Sequence, residues 1–168
     1  ENFSPLNFLN IIRKKKINFS MMVSLQLQKV FSLDNIKKSD FKTLKCLVSS
    51  SESLDVKLKR KIINEFKINL HEIYGLSEAG TLTNLNISKY QNKILSVGKP
   101  IDQTVIKIIN KNNGIGEITF KSPRIFKKYL DKNKINKNQY FKTGDLGYLD
   151  KDNFLFFKGR KKDIIRYN

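Results

Sequence analysis

Two short segments near the end of the chain carry the residue types most suited to chemistry: Thr143-Gly144-Asp145 and Gly159-Arg160. Each sets a charged side chain beside a glycine in a sequence typical of turns. Between them the alternating stretches Leu146–Leu149 and Phe154–Phe157 are broken by Asp152-Asn153, the pattern of a β-hairpin. A hairpin can bring two such residues to one end of a sheet, where a carboxylate and a guanidinium hold a single polar ligand. Asp145 can accept two hydrogen bonds from a ribose diol, and Arg160 can make charge-assisted contacts to ribose or phosphate oxygens. The bland alternatives are an Asx turn at Asp145 and a solvated Arg160.

A third candidate is Tyr74-Gly-Leu-Ser-Glu-Ala-Gly80, which follows an expected strand. Gly75 permits a tight turn, Ser77 offers a hydroxyl to an oxyanion, and Glu78 offers a hard oxygen ligand for Mg²⁺. Tyr74, at a strand end, could stack on a base. A Ser-Glu pair at a helix start is, on its own, more often a capping arrangement.

The elements that must position these residues change character along the chain. Ser4-Pro5 supplies an N-cap with proline at the first helical position, followed by Leu6, Leu9, Asn10 and Arg13 at helical spacing. Phe19–Val23 reads as a buried strand, and Ser24 as the cap of a helix with Leu25, Leu27, Val30 and Phe31 on its apolar face. Leu44–Val48 reads as a second buried strand, ending in the loop Ser49-Ser-Ser-Glu-Ser53. Ser53 is expected to cap a helix over Leu54–Phe66, and Ile68–Ile73 completes a βαβ-type unit. From about Lys93 helical periodicity gives way to turn signals at Gly98-Lys-Pro100, Asn112-Asn-Gly114 and Asp152-Asn153. Short alternating segments, among them Thr104–Ile109 and Ile115–Lys121, separate them. The expected fold class is therefore α/β: the end of a βαβ-type subdomain (1–92) followed by a small antiparallel β-barrel subdomain (93–161). Asp131–Gln139 is polar and low in complexity, a surface loop.

The chain has 168 residues, 39% of them hydrophobic, and no apolar run approaches the length of a membrane span. Its one cysteine, Cys46, excludes an intrachain disulfide framework and suits a reducing compartment; within Leu44-Lys-Cys-Leu-Val48 it reads as a buried, inert thiol. A net charge of +18 invites a nucleic-acid reading. The excess is mostly lysine, accompanied by abundant Asn and Ile, a composition that an A/T-rich coding background produces unaided. The densest runs, Arg13–Lys16 and Lys57–Lys61, fall on expected helices, where a solvated face accounts for them. No zinc-finger spacing, RNP aromatic motif or recognition-helix signature accompanies the charge.

Taken in order, these segments resemble the adenylate-forming superfamily of acyl-CoA synthetases, adenylation domains and luciferases. Val48-Ser-Ser-Ser-Glu-Ser-Leu54 resembles the small-residue loop found as SAGEAL in benzoate-type CoA ligases. Tyr74-Gly-Leu-Ser-Glu78 resembles YGxTE, Ser96-Val-Gly-Lys-Pro100 the VGKP block, and Gly116-Glu-Ile118 the GEI block that leads to Tyr129. Phe141-Lys-Thr-Gly-Asp-Leu146 is similar to FRTGDL, and Gly159-Arg-Lys-Lys-Asp-Ile164 to GRxKDxI. The resemblance covers essentially the whole chain.

The resemblance implies roles residue by residue. Tyr74 would stack on adenine, with Ser51 and Glu52 lining the other side through their backbone and Glu72 near the adenine amino group. Ser77 would bind the α-phosphate and Glu78 the Mg²⁺. Asp145 would accept from both ribose hydroxyls, Arg160 would add a ribose or phosphate contact, and Lys162 would open a hinge (162–168) to a small C-terminal domain. The implied activity is an ATP-dependent acyl-CoA synthetase in the cytoplasm. ATP, Mg²⁺ and CoA would be its cofactors, a carboxylic acid its substrate, with no specific nucleic acid and no membrane span. The chain would be an internal piece, inactive alone, with a Ser/Thr/Gly-rich phosphate loop upstream and a lysine-bearing domain downstream. The alternatives are an adenylation domain that loads a carrier protein, a binding-only relative, and a basic nucleic-acid-binding module.

Three positions depart from the family pattern. Ser50-Ser51 stands where benzoate-type ligases have Ala-Gly, placing a hydroxymethyl where glycine leaves room. Lys128 replaces the usual Gly before Tyr129, and Ser77 replaces the commoner Thr while keeping the hydroxyl.

Overall fold

A computed structural model describes residues 3–130, 135–136 and 139–163. The chain divides into two compact units, Glu1–Ile73 with Leu85–Leu95, and Tyr74–Asn84 with Ser96–Asn168. The order of elements is α1 (Pro5–Lys15), β1 (Phe19–Val23), α2 (Ser24–Phe31), β2 (Cys46–Ser50), α3 (Val56–Asn64), β3 (Asn69–Leu76) and β4 (Gly80–Asn86). There follow β5 (Lys99–Pro100), β6 (Val105–Asn112), β7 (Ile115–Lys121), β8 (Phe141–Leu149) and β9 (Leu155–Arg160). Strands β1 to β5 lie in that order in one sheet, and β6 to β9 in a second.

In the first unit, β1, β2 and β3 are parallel, with Phe19 opposite Cys46 and Ser49 opposite Glu72. Helix α1 begins as its sequence implies: the Asn7 amide donates to Ser4 Oγ at 3.3 Å, and Pro5 occupies the first turn. The other two helix starts differ from expectation. Ser24 lies inside α2, after Val23 at the N-cap, and its hydroxyl donates to the Glu52 carbonyl instead of capping. Helix α3 is capped by Asp55, not Ser53; one carboxylate oxygen accepts from the Lys57 and Leu58 amides at 2.9 and 3.1 Å. An aspartate that reaches two free amides of the first turn meets more of the unsatisfied donors than a serine two residues earlier.

The core of this unit holds Leu27, Val30, Leu47, Ile62 and Leu70, all fully buried. Beside them Phe31, Phe41 and Phe66 pack ring against ring, with centroids 5.1 to 5.2 Å apart. Lys59 lies in the same stripe as Ile62 and Ile63 and is only 1% exposed. The solvated-face reading of the Lys57–Lys61 run is wrong at this residue: positions 59, 62 and 63 share one helical face, and that face is inside.

The second unit is built on an antiparallel sheet, β6 against β7, β7 against β8 and β8 against β9. Ala79, Leu82, Val97, Ile106, Ile118, Phe120, Ile125 and Leu155 form its core. The Asn113-Gly114 turn has both residues at positive φ, 48° and 83°, as a tight hairpin connection requires. Strand β4 has no counterpart in the sequence expectation. Its Thr and Asn residues mask the alternation, and Thr83 is buried by donating its hydroxyl to the Val97 carbonyl. The segment after Leu76 is a turn into β4, not a helix start, with the Ala79 amide bonded to the Leu76 carbonyl at 3.1 Å. The loop expected over Asp131–Gln139 falls largely outside the described residues.

Candidate functional site

Asp145 and Arg160 are not turn residues: they face each other as register partners on β8 and β9. The turn-like glycines before them lie inside the strands: Gly144, at φ 74°, falls where β8 shifts register against β7, and Gly159, at φ 128°, follows the shift of β9 against β8. Asp145 is 2% exposed. Its Oδ2 accepts from the Tyr74 hydroxyl at 2.7 Å, and its Oδ1 lies 3.4 Å from Arg160 Nε. That approach is close enough for ion pairing but lacks hydrogen-bond geometry, and Oδ1 is a buried oxygen with no hydrogen-bond partner among the described residues. The Asp145 amide donates to Thr143 Oγ1 at 2.9 Å, and Thr143 Oγ1 donates to the Ile118 carbonyl at 2.8 Å, which fixes the strand around the carboxylate.

Tyr74 sits in the same unit, its ring tilted 39° against Phe157 with centroids 6.1 Å apart. Burial, then the hydrogen bond and negative charge of Asp145, push its phenol far above the ordinary value, so it remains a donor at any physiological pH. Gly75 is demanded by close approach: a Cβ there would stand 2.1 Å from the Gly80 carbonyl oxygen across the β3–β4 turn. Ser77 is exposed at the head of that turn. Glu78 is held from two directions. Its carbonyl accepts from the Phe126 amide at 2.8 Å, and its Oε1 accepts from the Tyr129 hydroxyl at 2.9 Å.

Arg160 and Lys162, with Thr143, Gly144 and Lys161, line an open cleft of about 430 Å³. Arg160 is 54% exposed, and Lys161 pairs with the buried Glu117 at 3.2 Å. The cleft thus carries three cations beside a buried carboxylate, a combination suited to a sugar hydroxyl and an adjoining phosphate. Among the described residues no group of three His, Cys, Asp or Glu gathers to hold a metal. A single carboxylate such as Glu78 fits Mg²⁺, which keeps several waters and takes its other ligands from substrate phosphates.

In the first unit, Ser51 and Glu52 are exposed on the loop after β2, and Ser51 adopts φ 77°. Glu72 is 2% exposed, with Oε2 paired to Lys59 and Oε1 accepting from the Leu54 amide at 2.9 Å. Cys46 is partly buried, and burial pushes its thiol up, away from the reactive thiolate. Sequence reasoning gave no role to Lys59, Thr143, Phe157 or Lys161, and used Tyr129 only as a landmark. For Lys59 the signal was present: a lone cation at helical spacing with Ile62, Ile63 and Phe66.

These features belong to an α/β fold with a second, antiparallel sheet that carries the Asp145–Arg160 pair. The chain matches the sequence model of the family described as AMP-binding enzyme over residues 1–130, and it belongs to that family. It is 32% identical over 174 residues to a long-chain-fatty-acid–CoA ligase of Bacillus subtilis, covering 97% of this chain and 31% of that protein. It is 31% identical to a 2-succinylbenzoate–CoA ligase of Lactococcus lactis, covering 98% and 35% respectively. In fold it resembles the unliganded O-succinylbenzoate coenzyme A synthetase of Bacillus subtilis, with a TM-score of 0.84 at 24% identity over 99% of this chain and 38% of that one. The chain spans about a third of the length of the curated relatives it matches.

Proposed function

We propose that this chain supplies the adenosine side of the active site of an ATP-dependent acid–CoA ligase acting in the cytoplasm. The observation that carries the reading is the buried Asp145 Oδ1, which lacks a hydrogen bond while Tyr74 and Arg160 flank its carboxylate. A ribose hydroxyl is a donor of the right kind to satisfy it. Tyr74 offers an aromatic face to the base, Arg160 a cation to the ribose or α-phosphate, and Ser77 a hydroxyl to the α-phosphate. Glu78, steadied by Tyr129, would hold Mg²⁺, which supplies charge neutralisation at the phosphates. Ser51 and Glu52 would line the base through their backbone.

In the intact enzyme a carboxylate oxygen attacks the α-phosphorus of ATP, forming acyl-AMP and releasing pyrophosphate. The thiol of CoA then attacks the acyl carbon, forming the thioester and releasing AMP. The chain's residues bind and orient the nucleotide, and pre-placed donors stabilise the charge that develops at phosphorus. The proposed organisation is an α/β portion over 1–92, an antiparallel β portion over 93–161 and a hinge beginning at Lys162. Support for CoA over a carrier protein as acceptor is the Lys-Lys-Asp-Ile-Ile segment after Arg160 and the names of the related ligases. Supplying the full-length protein with each acceptor in turn separates the two, since only one should yield a thioester.

The direct test is AMP binding by calorimetry to the full-length protein and its Asp145→Asn variant. Loss of charge-assisted bonds to a ribose diol is expected to weaken AMP on the order of 100-fold. Unchanged affinity in a folded variant would sink the ribose role.

A further inference from the structure

The first unit holds a buried ion pair under the loop that leaves β2. Lys59 and Glu72 are 1% and 2% exposed. The ammonium donates to Glu72 Oε2 and, at 2.9 Å, to the Ile94 carbonyl. The second carboxylate oxygen, Oε1, accepts from the Leu54 amide at 2.9 Å. Further up the loop, Ser24 Oγ donates to the Glu52 carbonyl.

Burying two charges in this way contributes little net stability, because desolvation offsets most of the attraction. An apolar pair of similar volume would fill the space at comparable or lower free energy. What an apolar pair cannot do is accept a hydrogen bond from Leu54. Register places Glu72 opposite Ser49, just before the loop begins, so its carboxylate stands where it can hold the loop's far end. Both its oxygens are engaged and almost none of it reaches solvent.

We propose that Lys59 and Glu72 are positioning residues for the Ser51–Leu54 loop. Lys59 orients Glu72, Glu72 holds the Leu54 amide, and the backbone of Ser51 and Glu52 is thereby set for a purine nucleotide. This rests on the adenosine reading of the loop. Glu72 acts through the loop and not on the base.

The test compares two double variants of the full-length protein, Lys59→Met/Glu72→Met and Lys59→Met/Glu72→Gln. Both remove the charges and the Lys59 bond to Ile94, and only the second keeps an acceptor for Leu54. AMP affinity and hydrogen exchange over residues 51–54 are measured, with melting temperature as the control for folding. The Met/Met variant is expected to bind AMP about tenfold more weakly and to exchange faster at Leu54, as loss of one hydrogen bond to a charged group implies. The Met/Gln variant is expected to return to within about threefold of the parent, since a neutral acceptor retains part of that bond. Equal affinity and equal exchange in the two variants overturn the proposal. If Met/Met does not fold, the swapped pair Lys59→Glu/Glu72→Lys keeps an ion pair but offers Leu54 no acceptor; parent-like exchange there also overturns it. A parent protein that fails to bind AMP defeats the adenosine reading, whereas the exchange measurement needs no ligand and still decides whether the pair holds the loop.

Discussion

Asp145 is 2% exposed, and its two oxygens differ in what they meet: Tyr74 donates to one, and the other has, among the described residues, the misaligned Arg160 as its ion-pair partner and no hydrogen bond. A buried carboxylate left half-satisfied is costly, which is why it reads as a site and not as a structural anchor. Tyr74 gives the cluster a measurable signature. Its folded-state value is raised by burial, then by the Asp145 hydrogen bond and charge, above an unfolded value near 10. A phenol shifted upward stabilises the fold fully below the unfolded value, and that contribution is lost as pH rises toward the folded one. Stability should therefore fall above pH 10 with a one-proton slope of about 1.4 kcal/mol per pH unit from this group. Tyr74→Phe should remove that slope and cost about 1.5 to 3 kcal/mol near pH 8. Urea denaturation from pH 8 to 11.5 checks both, and an alkaline limb unchanged by the substitution would count against the Tyr74–Asp145 bond. The types of these residues were readable from Tyr74-Gly-Leu-Ser-Glu78 and Thr143-Gly-Asp145, because glycine beside a charge marks a backbone special. That the hairpin brings Asp145 and Arg160 together was readable as well; their register was not, since it depends on a bulge between Phe157 and Gly159.

The elements that carry the site were read best where packing agrees with local preference. Ser4-Pro5 at the start of α1 and Asn113-Gly114 between β6 and β7 fall where their turn chemistry puts them. Reading failed where a long-range contact decides. Ser24 is drawn from capping by the Glu52 carbonyl, and β4 is stabilised by the sheet around it, not by its own Thr- and Asn-rich sequence. The loop after β2 shows local preference and function in conflict. Ser51 stands at φ 77°, in the left-handed region that favours glycine, at the position where the related ligase loop carries glycine. Strain of this kind costs a non-glycine residue about 1 kcal/mol or more, partly offset by glycine's greater freedom in the unfolded chain. Ser51→Gly is accordingly expected to stabilise the protein by about 0.5 kcal/mol. It is also expected to leave AMP affinity unchanged or raised, because the proposed contact of the loop with the base is through backbone. Thermal melts and AMP titration of the variant check this; a fall in stability would mean that the serine hydroxyl does more than its backbone position shows.

Across the whole molecule the net charge of +18 is the property most open to a rival explanation. Several cations are committed within their own unit: Lys59 to Glu72, Lys61 to the Phe31 carbonyl, Arg13 to Asp40, Arg124 to Asp102 and Lys161 to Glu117. Two aromatic faces of the second unit on which a single-stranded nucleic acid could stack are also occupied. Tyr140 has Lys107 and Lys121 over its ring at 4.7 and 4.8 Å, and Tyr148 is stacked on Phe156 with centroids 4.8 Å apart. On the proposed reading the other cations form a diffuse positive field. Such a field attracts polyanions by counterion release alone, and a contact of six or more phosphates loses about 10³-fold or more in affinity between 50 and 200 mM salt. A nucleotide bound by a few fixed groups at a partly buried site answers far less to salt, by about two- to threefold over the same range. Measured side by side on the full-length protein, oligonucleotide retention should collapse over this interval while AMP affinity persists. Submicromolar oligonucleotide binding that survives 300 mM salt and discriminates between sequences would instead make the charge a built recognition surface. The proposed nucleotide cleft beside Arg160 and Lys162 would then have to share its role.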